Sequence, residues 1–547
     1  NGQDITLAGS WTNGGTFTSG GGTQTVTFDG ALDQTIVSGG ASFYNLTISN
    51  NGINTISSNV LLSILNNLEV HDNQILTVQG SISVTGKTLI HTTQIHSSGD
   101  QVYSGTVTLG NNVVFTANNA GTNQLVRFKD SSKAVTGESS ARELTIKDSN
   151  AQFDGPVSGL IASIKVDGTT NINTNEITST GAQIYGDATG IDTITLGVNT
   201  TLTGSTVTFN APLVAAAHTL DIAGNAVFGD STGDDTATGL AGLSVSGSAK
   251  INTTAITTTG TQLWSGPITL ARSTTLTSGG DLIASDTVDG EFNLTLASAG
   301  VSTFSGEIGL KAVESPNGLG SGTGASIAIL SGGSTTFEKE LCTASGILQD
   351  DETGPVTFKD SVQINSAAVP TEFLSDIAFD FTGPKSFVSA GNIEIGTDTV
   401  DDASRDKVQI TGGATSGITI RTTDPANGRI TLNSTISSAI PVTVENAGLF
   451  ITNENADTVL SGTAGFIQRA PPEDVVLSAI TDNRAQLAGG ITTMGSRIEF
   501  ASDVFIFGTP GPASSMDLGA EANSASTDAQ SVHFAKDLHI AAPGKTV

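Results

Sequence analysis

The stretch ITTTGTQLWSGPITL, Ile256 to Leu270, recurs in altered form as IHSSGDQVYSGTVTL, Ile95 to Leu109. Ile95, Gly99, Gln101, Tyr103, Gly105, Val107 and Leu109 match Ile256, Gly260, Gln262, Trp264, Gly266, Ile268 and Leu270 at identical offsets. A third copy keeps Ile177, Gly181, Gln183 and Tyr185, then inserts five residues before its closing Leu196. A fourth keeps Leu296, Gly300, Phe304, Gly306, Ile308 and Leu310, with Ser302 in place of the glutamine. A degenerate fifth has Ile491, Gly495 and, one residue late, Phe500. A chain that repeats itself this closely is constrained to an architecture in which one unit stacks on the next.

Within a copy the alternation is strict. Ile256, Thr258, Gly260, Gln262 and Trp264 share one parity, while Thr257, Thr259 and Thr261 share the other and are expected to face solvent. An aromatic residue followed four positions later by an aliphatic one recurs more widely. The pairs are Phe28/Leu32, Phe153/Val157, Phe209/Leu213, Phe337/Leu341, Phe358/Val362, Phe500/Val504 and Phe534/Leu538. The residues between them suit a turn, so each pair is expected to bracket a corner and point inward. Strands and turns with a period of about 20–25 residues predict an all-β, parallel β-solenoid, expected to be right-handed. At about 22 residues per coil the chain holds about 25 coils, a rod on the order of 120 Å long.

The rest of the composition agrees. Charged residues make up 14% of the 547 and aromatics 5%, with 65 glycines, and no amphipathic helix is legible. With 22 Lys and Arg against 52 Asp and Glu, the formal charge of −30 argues against a nucleic-acid partner or an anionic membrane. The single cysteine, Cys342, allows no intrachain disulfide. No apolar run approaches the roughly 20 residues of a membrane helix, and no signal peptide is visible. Both ends read as the middle of a pattern, the expectation for a mature chain or a section of a longer one.

Four dialects divide the chain. Residues 1–92 carry stalk-type repeats, 93–310 the clearest I-x-x-x-G-x-Q-x-aromatic copies, 311–470 longer loops, and 471–547 a return of the pattern. The ITTTGTQLWSGPITL and VVLSAITDNRAQLAGGITTMGSRIEFASDV styles resemble very large bacterial surface proteins of the filamentous-haemagglutinin-like, β-strand-repeat type. The first region, with Trp11, Phe17, Phe28, Phe43, Asn45 and Leu46, is similar to stalk repeats of other bacterial extracellular proteins. The resemblance implies an extracellular or cell-surface location and a role as adhesin, surface layer, sheath or filament. It also implies a cell-surface or glycan ligand.

Chemistry is sparse. The acidic loop TDTVDDASRDK offers Asp398, Asp401, Asp402 and Asp406 as calcium ligands, beside Arg405 and Lys407, although its spacing departs from an EF-hand. Asp234 and Asp235, and Asp350, Asp351 and Glu352, form similar loops that read first as solvated turns. His91, His96, His533 and His539 match no metal-binding spacing. GSGTGA at Gly320 to Ala325 has the string of a dinucleotide fingerprint without the following helix. Trp11 and Trp264 lie inside repeats and are expected in the core. Asn45, Asn199, Asn252, Asn293 and Asn433 begin N-x-[ST] triplets, which arise by chance in a chain so rich in Asn and Thr.

The expectation is a non-enzymatic structural protein with no cofactor other than calcium. Open solenoid edges would let copies stack end to end into filaments. The alternative is a carbohydrate-binding or polysaccharide-cleaving β-helix. Ice binding through outward threonines is a third reading, weakened by the varying placement of those threonines.

Overall fold

Most strands have only two to six residues, separated by Gly- and Asn-rich turns, too short to be stable as isolated hairpins. They pair instead with the equivalent strand one coil away. A computed structural model describes residues 3–14, 17, 22–37, 42–49, 53–56, 61–71, 75–129, 131, 135–187, 192–230, 232–309, 317–396, 407–412, 417–424, 428–452, 458–460, 465–469, 484–487, 491–494, 497–506, 518–521 and 532–540. These residues contain strands and turns and no helix. They fall into two compact units, Asn1–Gly260 and Thr261–Val547.

Each unit is a parallel β-solenoid whose coils have three faces. In the first unit one face stacks Ile5–Leu7, Thr25–Phe28, Asn45–Ile48, Leu68–Val70, Thr88–Ile90, Val107–Leu109 and Val135–Gly137 in sequence order. Val26 pairs with Leu46, Leu46 with Leu68, Leu68 with Thr88 and Thr88 with Val107, so a regular coil takes 19 to 22 residues. Insertions lengthen others: Leu294 pairs with Ile327, 33 residues on, and Ile393 with Ile430, 37 on. The described residues therefore make about 20 turns, fewer than the 25 or so that a uniform 22-residue coil gives.

The core is a set of columns. Period-2 alternation places every second residue inward, and parallel register places like on like. Phe304, Phe337, Phe358 and Phe379 occupy successive coils of one ladder in the second unit. Their rings stack at 5.3, 5.3 and 5.9 Å between centroids. In the first unit Tyr103, Phe128 and Phe153 stack at 5.7 and 5.6 Å. Where the column receives a larger ring, a small residue follows: Trp264 pairs with Ala284, which pairs with Phe304. Alternating large and small side chains keeps the narrow interior filled without strain.

The bracketed corners are as expected at Phe153/Val157, Phe209/Leu213, Phe337/Leu341, Phe358/Val362 and Phe500/Val504, all ten side chains being buried. Phe28/Leu32 departs from the pattern. Phe28 is buried, but Leu32 is 80% exposed. Gln34 fills that corner instead: its amide nitrogen donates to Leu7 O and Gly9 O, and its amide oxygen accepts the Gly30 N–H.

A stacked column predicts a local cost for deleting one ring. Phe337→Ala removes a side chain held between Phe304 and Phe358 and should weaken that coil by about 3–5 kcal/mol. Phe337→Leu should cost less than about 1.5 kcal/mol. Hydrogen exchange at Val356–Phe358 reads this directly, since coils far along the chain will keep their protection.

Candidate functional site

The repeated sentence is the first candidate, because it buries polar side chains. In the 95–109 copy, Ser97 Oγ donates to Gly99 O and closes the turn. Ser179 donates to Gly181 O, Thr258 to Gly260 O and Ser298 to Gly300 O in the same way. The buried glutamine then reaches across to the next coil. Gln101 Nε2 donates to Thr116 O at 2.9 Å, Gln183 to Thr203 O at 2.8 Å and Gln262 to Thr277 O at 2.8 Å. Its amide oxygen accepts the phenol two residues on, Tyr103 OH to Gln101 and Tyr185 OH to Gln183, both at 2.9 Å. Burial pushes both phenol pKa values far above the ordinary range, so the tyrosines remain neutral donors at any working pH.

Glycine at the corners follows from the closeness of coils. A Cβ on Gly105 would stand 2.1 Å from Gly86 O, and one on Gly260 would stand 2.4 Å from Ala241 O. The same sentence also sits on different faces. Tyr103 belongs to the column of Phe128, Phe153 and Ile172. Tyr185 continues the column of Phe115, Ile146 and Val166, to which the earlier copy contributes Ile95 instead of its tyrosine. What is repeated is a corner, usable at more than one edge of the coil, with every polar atom of its Gln–Tyr pair directed into the stack.

Asparagine and aspartate serve the same end outside the core. Asn67 Oδ1 accepts the Lys87 N–H of the next coil, Asn150 that of Thr169, Asn199 that of Thr219, Asn225 that of Ser248 and Asp281 that of Val301. These side chains satisfy turn amides that the strand ladder does not reach. The five N-x-[ST] asparagines belong to this set of coil-to-coil ties. Asn45 donates to Thr23 O, Asn252 to Asp230 O, Asn293 to Thr323 O and Asn433 to Gly396 O.

Asp398, Asp401, Asp402 and Asp406, with Arg405, lie outside the described residues, as does the side chain of Lys407. Asp234 accepts the Thr254 hydroxyl and Asp235 the Asp230 N–H, so both tie turns. Asp350 and Asp351 form a turn closed by Thr353 Oγ1 donating to Asp350 O. Among the described residues no group of three or more His, Cys, Asp or Glu is arranged to hold a metal ion. His96 lies at the middle of an outward ladder between Thr77 and Thr116, and His539 stacks on Phe505 at 4.3 Å. His91 instead leans over Gly110 to meet Glu138 at 2.9 Å, next to His71. Trp264 is fully buried, and Trp11 packs on Phe17 and Phe43. GSGTGA forms a loop of positive-φ glycines leading into the strand Ile327–Ile329.

Several ion pairs were not legible as sites. Arg127 meets Asp154, Lys359 meets Glu338 and Lys385 meets Asp360, each across one coil boundary. Glu445, 1% exposed, lies between Arg421 and Arg469 of the flanking coils. The 24-residue spacing of that triad, one coil each way, was the available signal. Burial raises the Asp154 pKa, but hydrogen bonds from Gln152, Asn173 and Arg127, with the Arg127 charge, outweigh it and leave the carboxyl below its usual range. Asp360 behaves alike: burial raises it, and the Lys385 ammonium with the Ser361 N–H pulls it lower. Asp192 shifts the other way, raised by burial and then by the Asp187 charge.

No protein-family description matches this chain, and neither the curated proteins nor the solved structures contain a match.

The glutamine corner predicts a non-additive pair. Gln183→Leu strands the buried Tyr185 hydroxyl and should destabilise its coil by about 1–3 kcal/mol. Adding Tyr185→Phe should recover part of that loss, and a double-mutant cycle on local hydrogen exchange measures the coupling.

The carboxyls predict opposite pH effects. Asp154 and Asp360 have depressed folded pKa values, so their stabilisation is present above the unfolded pKa and lost as pH falls through the folded one. Asp192 has a raised folded pKa, so its contribution is present at low pH and lost as pH rises through that value. Asp154→Asn should therefore flatten the acid limb of a stability–pH curve, whereas Asp192→Asn should raise stability at neutral pH.

Proposed function

We propose that the chain is a non-enzymatic extracellular structural protein, a β-solenoid rod in a bacterial cell-surface filament, sheath or adhesin stalk. One observation carries this reading. The residues that repeat along the sequence, including the buried glutamines and tyrosines that first suggest a site, bond the next coil or the side chain beside them. A rod built from such coils gains length by adding residues and needs no larger core for each addition. The strongly acidic composition supports a soluble, mutually repelling surface. Among the described residues no helix is long and apolar enough to cross a membrane.

Self-association belongs to the same proposal. The coil-to-coil contact is a parallel strand ladder with no built-in limit on the number of coils. A second copy can extend it by the same backbone bonds, and a contact that does not close on itself propagates as a fibre.

Electron microscopy of the full chain over a range of concentrations tests both parts. The proposal predicts thin fibres that lengthen with concentration, and antibody labelling on the outside of intact cells. Discrete particles of one size at every concentration would remove the filament reading. Release of reducing ends or unsaturated products from polysaccharides would replace the structural reading with the carbohydrate-active one.

A further inference from the structure

The geometry points to a binding site for a neutral carbohydrate in a cleft of the second unit, lined by Glu291, Phe292, Asn317, Ser321, Asn365 and Ser366. This goes beyond the rod reading and does not depend on it.

The cleft exists because one coil is interrupted. Ile308 bridges to Leu341, 33 residues on, and the added chain returns as Asn317 to Gly320. Leu319 bridges to Thr343 and Gly320 N–H donates to Gly290 O, so the added segment is held by the coils on both sides. Gly318 and Gly320 have φ of +95° and +113°, and a Cβ on either would strike Thr343 or Ser326. Asn365 Nδ2 donates to Asn317 O, and Asn293 accepts the Ser321 N–H while donating to Thr323 O. Backbone bonds and the side chains of Asn293 and Asn365 therefore fix the wall, and the cleft holds about 570 Å³.

Its chemistry departs from that of the other faces. Phe292 is 37% exposed, and no other described Phe, Tyr or Trp is exposed. The described lining residues supply a carboxylate, two amides and two hydroxyls beside the ring, and none of them is Lys or Arg. A pyranose matches that arrangement. Its C–H face packs on an aromatic ring, and its hydroxyls donate to a carboxylate and exchange hydrogen bonds with amides. The Glu291 charge, in a chain of formal charge −30, disfavours uronates and sulfated sugars. Gly322, with φ of +73° and no atom within 4 Å of where its Cβ would stand, leaves room at the rim.

Calorimetric titration of the full chain with cellohexaose, chitohexaose, maltohexaose and mannohexaose tests the assignment, with hexagalacturonate as the anionic arm. At least one neutral hexamer should bind saturably and the uronate should not. Phe292→Ala should weaken that binding about tenfold or more. Glu291→Gln should also weaken it, and Phe292→Trp should retain it. Phe292 is partly covered, so unchanged far-UV circular dichroism is required to show that these variants fold. Val301→Ala, an exposed apolar position outside the lining, should leave affinity unchanged. Failure of all four neutral hexamers, equal affinity in Phe292→Ala, or equal binding of the uronate would overturn the proposal. None of these outcomes bears on fibre formation.

Discussion

A backbone N–H in one coil bonds a carbonyl in the next, and the rest of the molecule follows from that parallel ladder. It fixes coils at about 4.8 Å, closer than most side chains stack comfortably. At that spacing a column can hold rings that lie flat on one another, as Phe304, Phe337 and Phe358 do, or a large ring above an alanine, as at Trp264 and Ala284. It also forbids a Cβ where corners approach, which places glycine at Gly105 and Gly260.

The ladder covers only the strands. Corners leave amides and carbonyls that it cannot reach, and burying them unpaired would cost about 1–3 kcal/mol each. The composition answers this shortage. Ser or Thr closes the turn, Asn or Asp hands an oxygen to the next coil, and Gln crosses the corner to a carbonyl one coil on. The abundance of Asn, Ser and Thr, unusual for a chain with this much buried surface, is thus a consequence of having three corners in every coil. The same stacking places some opposite charges across a coil boundary, as in Arg421, Glu445 and Arg469.

Much of this was legible in the sequence. Alternation and the aromatic-to-aliphatic bracket identified the solenoid, the inward residues and most corners, because short-range periodicity maps directly onto a parallel stack. Leu32 was misplaced because the bracket does not reveal when a downstream residue, here Gln34, takes the interior position. The coil count was too high because insertions such as that between Ile308 and Leu341 break the period without changing the strands around them. The roles of Gln101 and Gln183 were out of reach, since their partners lie 15 and 20 residues away on the next coil. The cleft beside Phe292 was equally hidden: it is assembled from segments whose register is set by the insertion.

The central claim is that within each unit successive coils stack in parallel register, with strands perpendicular to the stacking direction. Fibre diffraction from oriented protein tests it most directly. The account predicts a strong meridional reflection at about 4.8 Å, and a broad equatorial pattern set by the width of a three-faced coil. A 4.8 Å reflection on the equator, or none at that spacing, would contradict it.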